Sequence, residues 1–235
     1  MSIDKENNLL NQKIVYDFTK FTTKDYTGEL ACIIWHISCN LRCVYCYNDN
    51  IVFAKKAKYS HNDILKFLKT RKNLLSGVVL SGGEALIHNL KPLCKEIKKL
   101  GFKIKLDTNG INTKKIKELI EENLIDFISL DFKATKDKFE IITQKKSSLY
   151  DDFIETLKYL IQINFLFELR TTFNGILLNE NDINKMIKIA YDLGYKNIFY
   201  IQNFLQTDSN IGNINKNIEI NRDKIVKNLL KIEYR

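Results

Sequence analysis

From residue 31 onward the chain alternates short apolar runs with longer amphipathic stretches. Residues 31–37, 77–80, 103–106, 127–130, 166–170 and 197–201 are brief and rich in β-branched and aromatic residues, and predict six strands. The intervals between them repeat apolar residues at helical spacing. Ile64, Leu65 and Leu68 follow a start signal at Ser60 and Asp63. Leu90, Leu93, Cys94, Ile97 and Leu100 run up to Gly101, a residue suited to the left-handed position past a helix end. Ile116, Leu119 and Ile120 mark a third helix, and Phe153, Ile154, Leu157, Leu160 and Ile161 a fourth. Asn179 and Asp182 open a fifth, with Ile183, Met186, Ile187 and Ala190 on its apolar face and Gly194 as its stop.

The remaining segments are less periodic. Residues before about 29 are polar and mixed, with 13–18 an edge strand or a lead-in, while 133–148 carry Phe139, Ile141 and Ile142, enough for a short helix. Residues 207–217 are Asn-rich and read as loop, and 218–234 read as a closing helix. Strands separated by helices need crossover connections, which predicts a parallel sheet and an α/β fold. Such a sheet either lies open and doubly wound or curls into a barrel. Eight-fold barrels use about 250 residues, so six strand–helix units suit a chain of 235. No linker divides the sequence, and residues 1–235 are expected to form one domain.

The charge balance, 37 Lys and Arg against 28 Asp and Glu, gives a formal +9, which fits a nucleic acid or an acidic protein partner. Yet the lysines are spread along helical patterns, as in 95–99 and 114–117, which is how solvated helix faces look. No recognition motif accompanies them, so nucleic-acid binding is not expected. No run approaches membrane-spanning length and the N-terminal residues lack an apolar leader; the expectation is a cytoplasmic protein with no membrane partner. Of five cysteines, Cys32 falls in the first strand and Cys94 in a helix stripe, where both read as small core hydrophobes, and no disulfide framework is expected.

The other three occupy one loop. Cys39, Cys43 and Cys46 stand within eight residues, just past the first strand. Thiolates select zinc or iron-sulfur clusters, and a closed structural site takes four ligands. Three leave a position open, where a substrate or cofactor coordinates. The competing reading completes a zinc site with Cys32 or His36 and makes the chain an interaction or RNA-binding module.

In parallel α/β folds, functional residues gather at the carboxyl ends of the strands. Here those ends carry the thiol loop, Ser81 to Glu84, Asp107 to Gly110, Asp131 to Lys133, Arg170 to Thr172, and Gln202 with Asn203. Gly82 and Gly83 are an ordinary turn signal, but beside the thiols they also let a ligand approach the backbone, where carbonyls and Glu84 suit an ammonium group. Asp107 and Asn109 read equally well as solvated turn residues. His36 ends the first strand, whereas His61 and His88 sit at helix starts; all three read as packing or capping residues. Arg42 and Asn48 flank the thiols as hydrogen-bonding candidates.

The spacing of Cys39, Cys43 and Cys46, with aromatic Tyr45 before the third, resembles the radical S-adenosylmethionine superfamily. That resemblance implies a partial (β/α)6 barrel, a 4Fe-4S cluster on the three thiols, and S-adenosylmethionine at its open iron. It implies that Ser81, Gly82, Gly83 and Glu84 hold the methionine amine, with Tyr45, Asp107, Thr108 and Asn109 also at the cofactor. Lys133 and Arg170 resemble cations that approach the methionine carboxylate, and Asp107, Thr108 and Asp131 would share a monovalent cation. Ala85 stands where many members carry proline.

Within the superfamily, residues 25–35, 81–84, 106–110 and 130–134 resemble activating proteins of anaerobic ribonucleoside-triphosphate reductases, with Thr27 replacing a usual proline and Tyr47 a frequent histidine. The implied reaction is reductive cleavage of S-adenosylmethionine, with an electron from an external donor such as flavodoxin or ferredoxin, and removal of a Cα hydrogen from one glycine of the reductase. No cysteines remain for auxiliary clusters, which favours an activase. The alternatives are activation of pyruvate formate-lyase or another glycyl-radical enzyme, and a small-molecule radical reaction, for instance on a purine-like substrate.

Overall fold

The computed structural model describes residues 3–235, in two units. Of the described residues, the first comprises 3–40, Asn50–Thr108 and Lys114–Ile128, and the second Leu41–Asp49, Asn109–Thr113 and Ser129–Arg235. The reading of an N-terminus without an apolar leader falls partly on Met1 and Ser2, outside the described residues.

Up to residue 121 the elements are α1 (Ile3–Asn11), β1 (Lys13–Thr22), β2 (Ala31–His36), α2 (Asp49–Val52), β3 (Tyr59–Ser60), α3 (His61–Lys69), β4 (Gly77–Gly82), α4 (Lys91–Lys99), β5 (Lys103–Thr108) and α5 (Thr113–Glu121). The start signal at Ser60 is a full capping box: the Ser60 hydroxyl accepts from the Asp63 amide and the Asp63 carboxylate accepts from the Ser60 amide. Pro92 lies in the first turn of α4, where its missing donor does no harm, and Gly101 leaves that helix at φ +90°.

The strands of this unit follow the order β3-β1-β2-β4-β5. β2, β4 and β5 pair in parallel, whereas β1 pairs antiparallel with both β2 and β3. Ala31, Cys32, Ile33 and Ile34 are all buried, as expected where both faces of a parallel sheet are covered. Ile64 and Leu68 of α3, with Leu93 and Ile97 of α4, are buried too, each contributing about 1.5–3 kcal/mol. Cys32 and Cys94 are buried free thiols, in line with their reading as core hydrophobes.

The second unit holds most of β6 (Phe127–Asp131), then α6 (Lys136–Thr143), α7 (Leu149–Gln162), β7 (Phe167–Phe173), α8 (Glu180–Asp192), β8 (Phe199–Asn203) and β9 (Ile232–Tyr234). Asn179 and Asp182 form a second capping box at α8. β7, β8 and β9 pair in parallel. Phe132 packs on Phe153 with ring centroids 4.6 Å apart, inside a core shared with Leu157, Leu169 and Phe199. Gly110, at φ +75°, is fixed by this core: a Cβ there would stand 2.5 Å from Leu130 Cδ1.

Three expectations change. The segment before residue 29 contains α1 and a ten-residue β1, because Leu10 and Val15 reach the core from otherwise polar surroundings. Strands run past their apolar stretches, so that Arg170 sits in the middle of β7 rather than at its end. The closing helix expected over 218–234 is absent. Asn221 caps a single 3-10 turn, Arg222–Lys224, and the chain then extends as β9 along the edge of β8. Asn217, Asn221 and Asn228 are weak helix formers, and pairing with β8 satisfies backbone groups that a short helix would leave open. Among the described residues no helix is long and apolar enough to cross a membrane.

Candidate active site

In the first unit β2 ends at His36, and Ile37 and Ser38 lead into Cys39. This stretch is bonded backbone to backbone with the turn after β4: Gly83 N donates to His36 O and Glu84 N donates to Ser38 O, both at 2.9 Å. Only glycine fits at two positions of that turn. A Cβ on Gly83 would stand 1.9 Å from Ser38 O, and one on Gly82, which has φ +122°, 2.3 Å from His36 N and O. The glycines thus admit the chain leading to the thiols, a role their sequence reading left to a ligand.

Around them the polar groups converge. Ser81 Oγ donates to Asp107 Oδ2 (3.1 Å), Lys105 Nζ lies 3.1 Å from Asp107 Oδ1, and buried Glu84 accepts from Thr108 Oγ1 (2.9 Å) and Leu86 N (3.3 Å). Ser81, Glu84, Asp107 and Thr108 therefore form one cluster across the ends of β4 and β5.

In the second unit the loop of Cys43, Tyr45 and Cys46 is fastened on two sides. Arg42 N and Val44 N donate to Thr143 O and Ile142 O at the end of α6, both at 2.9 Å. From the Asn-rich segment, Gly212 N donates to Val44 O (2.7 Å) and Ile211 N to Cys46 O (3.0 Å). The approach is close enough to require Gly212, whose added Cβ would lie 2.7 Å from Val44 Cβ. Asn210 braces this strap by bonding both ways with Ile214. Nothing in the composition of residues 207–218 announces such a role.

Charge gathers on one face of β6 and β7, where alternate residues meet. Arg170 Nε donates to Asp131 Oδ1, Lys133 Nζ donates to Asp131 Oδ2 (3.0 Å), and Ser129 Oγ donates to Glu168 Oε1 (2.6 Å). Arg170 Nη1 also lies 3.8 Å from Glu168 Oε1. Burial alone would raise the Asp131 carboxyl, but Arg170 and Lys133 outweigh it and hold it at about 2. Lys133 Nζ stands 5.9 Å from the Tyr45 ring centroid. Glu168 is absent from the sequence-based candidates, although its place two residues before Arg170 on a strand is the signal for it. Asn109 caps its own turn, accepting from Ile111 N (3.1 Å). Arg42 Nη1 donates to Leu41 O (2.6 Å).

The thiols are suited to a metal cluster by their chemistry. All five cysteines are free. Burial pushes the Cys43 thiol up to about 11 and raises Cys46 as well, against the pull of Lys133 and, at Cys46, of the Asn48 backbone amide. Coordination would replace those protons and stabilise the thiolates. The buried Tyr45 hydroxyl finds no oxygen or nitrogen partner and lies against the Cys43 thiol. Among the described residues no three His, Cys, Asp or Glu side chains are placed to hold a single metal ion.

Comparison with known proteins agrees with this chemistry. The Radical SAM superfamily model matches residues 33–201. A protein of Methanocaldococcus jannaschii, provisionally named a glycyl-radical enzyme activating enzyme, is 26% identical over 83% of this chain and 82% of its own length. The pyruvate formate-lyase-activating enzyme of Clostridium pasteurianum is 29% identical over 54% of this chain and 56% of its own. The crystal structure of Streptococcus suis SuiB bound to S-adenosylmethionine superposes with a TM-score of 0.65 at 14% identity, covering 85% of this chain and 48% of that one. This chain spans about half the length of SuiB, and the likeness shows the fold alone, a mixed α/β partial barrel. The chain is an enzyme of the Radical SAM superfamily, similar to activating enzymes of glycyl-radical proteins.

Proposed function

We propose that this enzyme activates a glycyl-radical enzyme, with anaerobic ribonucleoside-triphosphate reductase as the partner. Cys39, Cys43 and Cys46 hold the 4Fe-4S cluster, and Ser81, Gly82, Gly83 and Glu84 receive the methionine amine of S-adenosylmethionine. The observation that carries the reading is the bonding of Gly83 and Glu84 to His36 and Ser38, which locks the turn proposed for the cofactor to the entry of the thiol loop. When bound, the cluster and cofactor supply a reducing electron and a carbon-centred radical able to take a hydrogen atom from a glycine Cα.

The chain's own residues aim and shelter that chemistry. Glu84 and the turn carbonyls attract an ammonium group, with Asp107, Thr108 and Asn109 beside them. Lys133 and Arg170 attract a carboxylate; Asp131 keeps Lys133 charged against burial and holds both cations in place. Tyr45, buried under Lys133, keeps water from the loop. A monovalent cation near Asp107, Thr108 and Asp131 has less support, because Lys105 already pairs with Asp107, and Lys133 and Arg170 with Asp131. The electron donor is a flavodoxin or ferredoxin, and the setting a reducing cytoplasm, in keeping with five free thiols.

Resemblance of residues 25–35 and 106–110 to reductase activases supports the partner. The match to the Clostridium pasteurianum enzyme favours pyruvate formate-lyase as a second reading. One experiment separates them: anaerobic incubation of the reconstituted enzyme with S-adenosylmethionine, dithionite and either partner, followed by electron paramagnetic resonance. A glycyl doublet on the reductase is expected. A doublet on the lyase alone selects the second reading, and cofactor cleavage with neither radical rejects both.

A further inference from the structure

The chain has three histidines, and all three meet. His36 comes from the end of β2, His61 from the first turn of α3 and His88 from the turn that follows Glu84. The His36 ring lies 5.2 Å from that of His61, at 78°, and 5.9 Å from that of His88. No sequence spacing joins positions 36, 61 and 88; the fold alone assembles them.

Their hydrogen bonds have a direction that the acceptors dictate. A carbonyl only accepts, so His36 Nδ1, 3.1 Å from Ser81 O, carries its hydrogen. His36 is fully buried, with the imidazoles of His61 and His88 against its ring, so its own imidazole stays neutral and Nε2 bears a lone pair. His61 Nε2, 3.0 Å away, must then be the donor to it. By the same rule His88 Nε2 donates to Ile37 O, at 2.9 Å. The bonds run from His61 to His36 to Ser81 O on one side, and from His88 to Ile37 O on the other.

Those two carbonyls have particular neighbours. Ser81 directly precedes Gly82, and Ile37 lies between His36 and Ser38, whose carbonyls accept from Gly83 and Glu84. We propose that the histidines are a positioning relay: His61, by donating to His36 Nε2, secures the tautomer that Ser81 O requires, His36 holds Ser81, and His88 holds Ile37, so that the Gly82 to Glu84 turn and the entry to the thiol loop are placed together. A buried apolar cluster would fill the same space but leave both carbonyls without these donors. The inference deepens the activase reading and rests on it, since the turn matters only if it receives S-adenosylmethionine.

The test uses reconstituted, cluster-loaded enzyme. Iron content, equilibrium binding of radiolabelled S-adenosylmethionine and reductive cleavage are measured for the wild type, His61→Phe and His61→Gln, with the His36 tautomer read from ¹⁵N chemical shifts. The wild type should show His36 protonated on Nδ1 and bare on Nε2. His61→Phe should weaken cofactor binding roughly tenfold, as expected for loss of a buried donor, at unchanged iron content and with kcat at saturation within about twofold. His61→Gln, whose side-chain amide can donate, should recover binding to within about threefold. A His36 proton on Nε2, wild-type binding in His61→Phe, or no recovery in His61→Gln overturns the relay. Should His61→Phe fail to take up iron, the wild-type tautomer and His61→Gln decide. A wild-type enzyme that binds no S-adenosylmethionine removes the activase reading and the relay together, whereas binding that ignores both variants removes the relay alone.

Discussion

The polar clusters of the two units solve the same problem, that of holding polar groups in a largely buried place, by opposite means. In the first unit the Gly82 to Glu84 turn is held by neutral fasteners, backbone amides of Gly83 and Glu84 and imidazoles that burial keeps uncharged, while the ion pair of Lys105 and Asp107 stands at the neighbouring strand end. In the second they are ions, with Asp131 bridging Lys133 and Arg170, and Glu168 on the same face. Neutral backbone bonding fixes distance and tolerates no added atom. An ion cluster tolerates small shifts of shape but depends on charge balance, because each partner is desolvated for the sake of the others.

The largest break in that contrast should come from adding one methyl group to the neutral side. Gly83→Ala places a carbon 1.9 Å from Ser38 O, and the strand must move; a loss of about 3 kcal/mol is expected, visible as a lower urea midpoint together with lost iron uptake. On the ionic side Asp131→Asn keeps the shape and removes the charge, leaving Lys133 and Arg170 half-buried without their common partner. Urea titration should register about 2 kcal/mol, below the figure for a fully buried pair because solvent screens the rim.

Acid should separate the two units next. Burial, with the nearby His88, brings the His61 imidazole down to about 3, so between pH 6.5 and 3 the unfolded chain binds a proton that the folded chain refuses. Stability is complete above pH 6.5 and falls as the pH drops through that window, by on the order of 2 kcal/mol from pH 7 to pH 5. Asp131, lowered from 3.8 to about 2, contributes stability that is present above pH 3.8 and is lost only below it. Unfolding curves at pH 7 and pH 5 should therefore differ for the wild type, differ less for His61→Gln, and differ by the wild-type amount for Asp131→Asn. The smallest effect belongs to Cys94→Ala, about 1 kcal/mol with full iron content, while Cys43→Ala should lose its iron; equal iron in both would refute the assignment of the loop.

Much of this was legible in the sequence where the signal is local. The boxes at Ser60 with Asp63 and at Asn179 with Asp182 place α3 and α8, since a cap needs only its own neighbours. Strand ends are less readable. Ser81, Gly82, Thr172 and Gln202 are polar and still belong to strands, because a parallel neighbour pairs with their backbone regardless of side chain. Residues 218–234 mislead for the related reason that an open strand edge competes with weak helical propensity. At the site, the thiol spacing and the Gly82 to Glu84 turn stand out as short motifs. The meeting of His36, His61 and His88 does not, nor does the contact of Gly212 with Val44, since each joins positions far apart in sequence.

The strap also bears on the order of assembly during synthesis. Val44 and Cys46 emerge long before Ile211 and Gly212, the residues that clasp them. At ribosomal rates of 5–20 residues per second the thiol loop waits roughly ten to thirty seconds for that half of its support. Iron delivered before then would meet a loop tethered on one side at most, so lasting cluster insertion is expected only once residue 212 has been made. Gly212→Val, which prevents the clasp from closing, should leave a protein that stays in that half-finished state and holds its iron for a shorter time against a chelator.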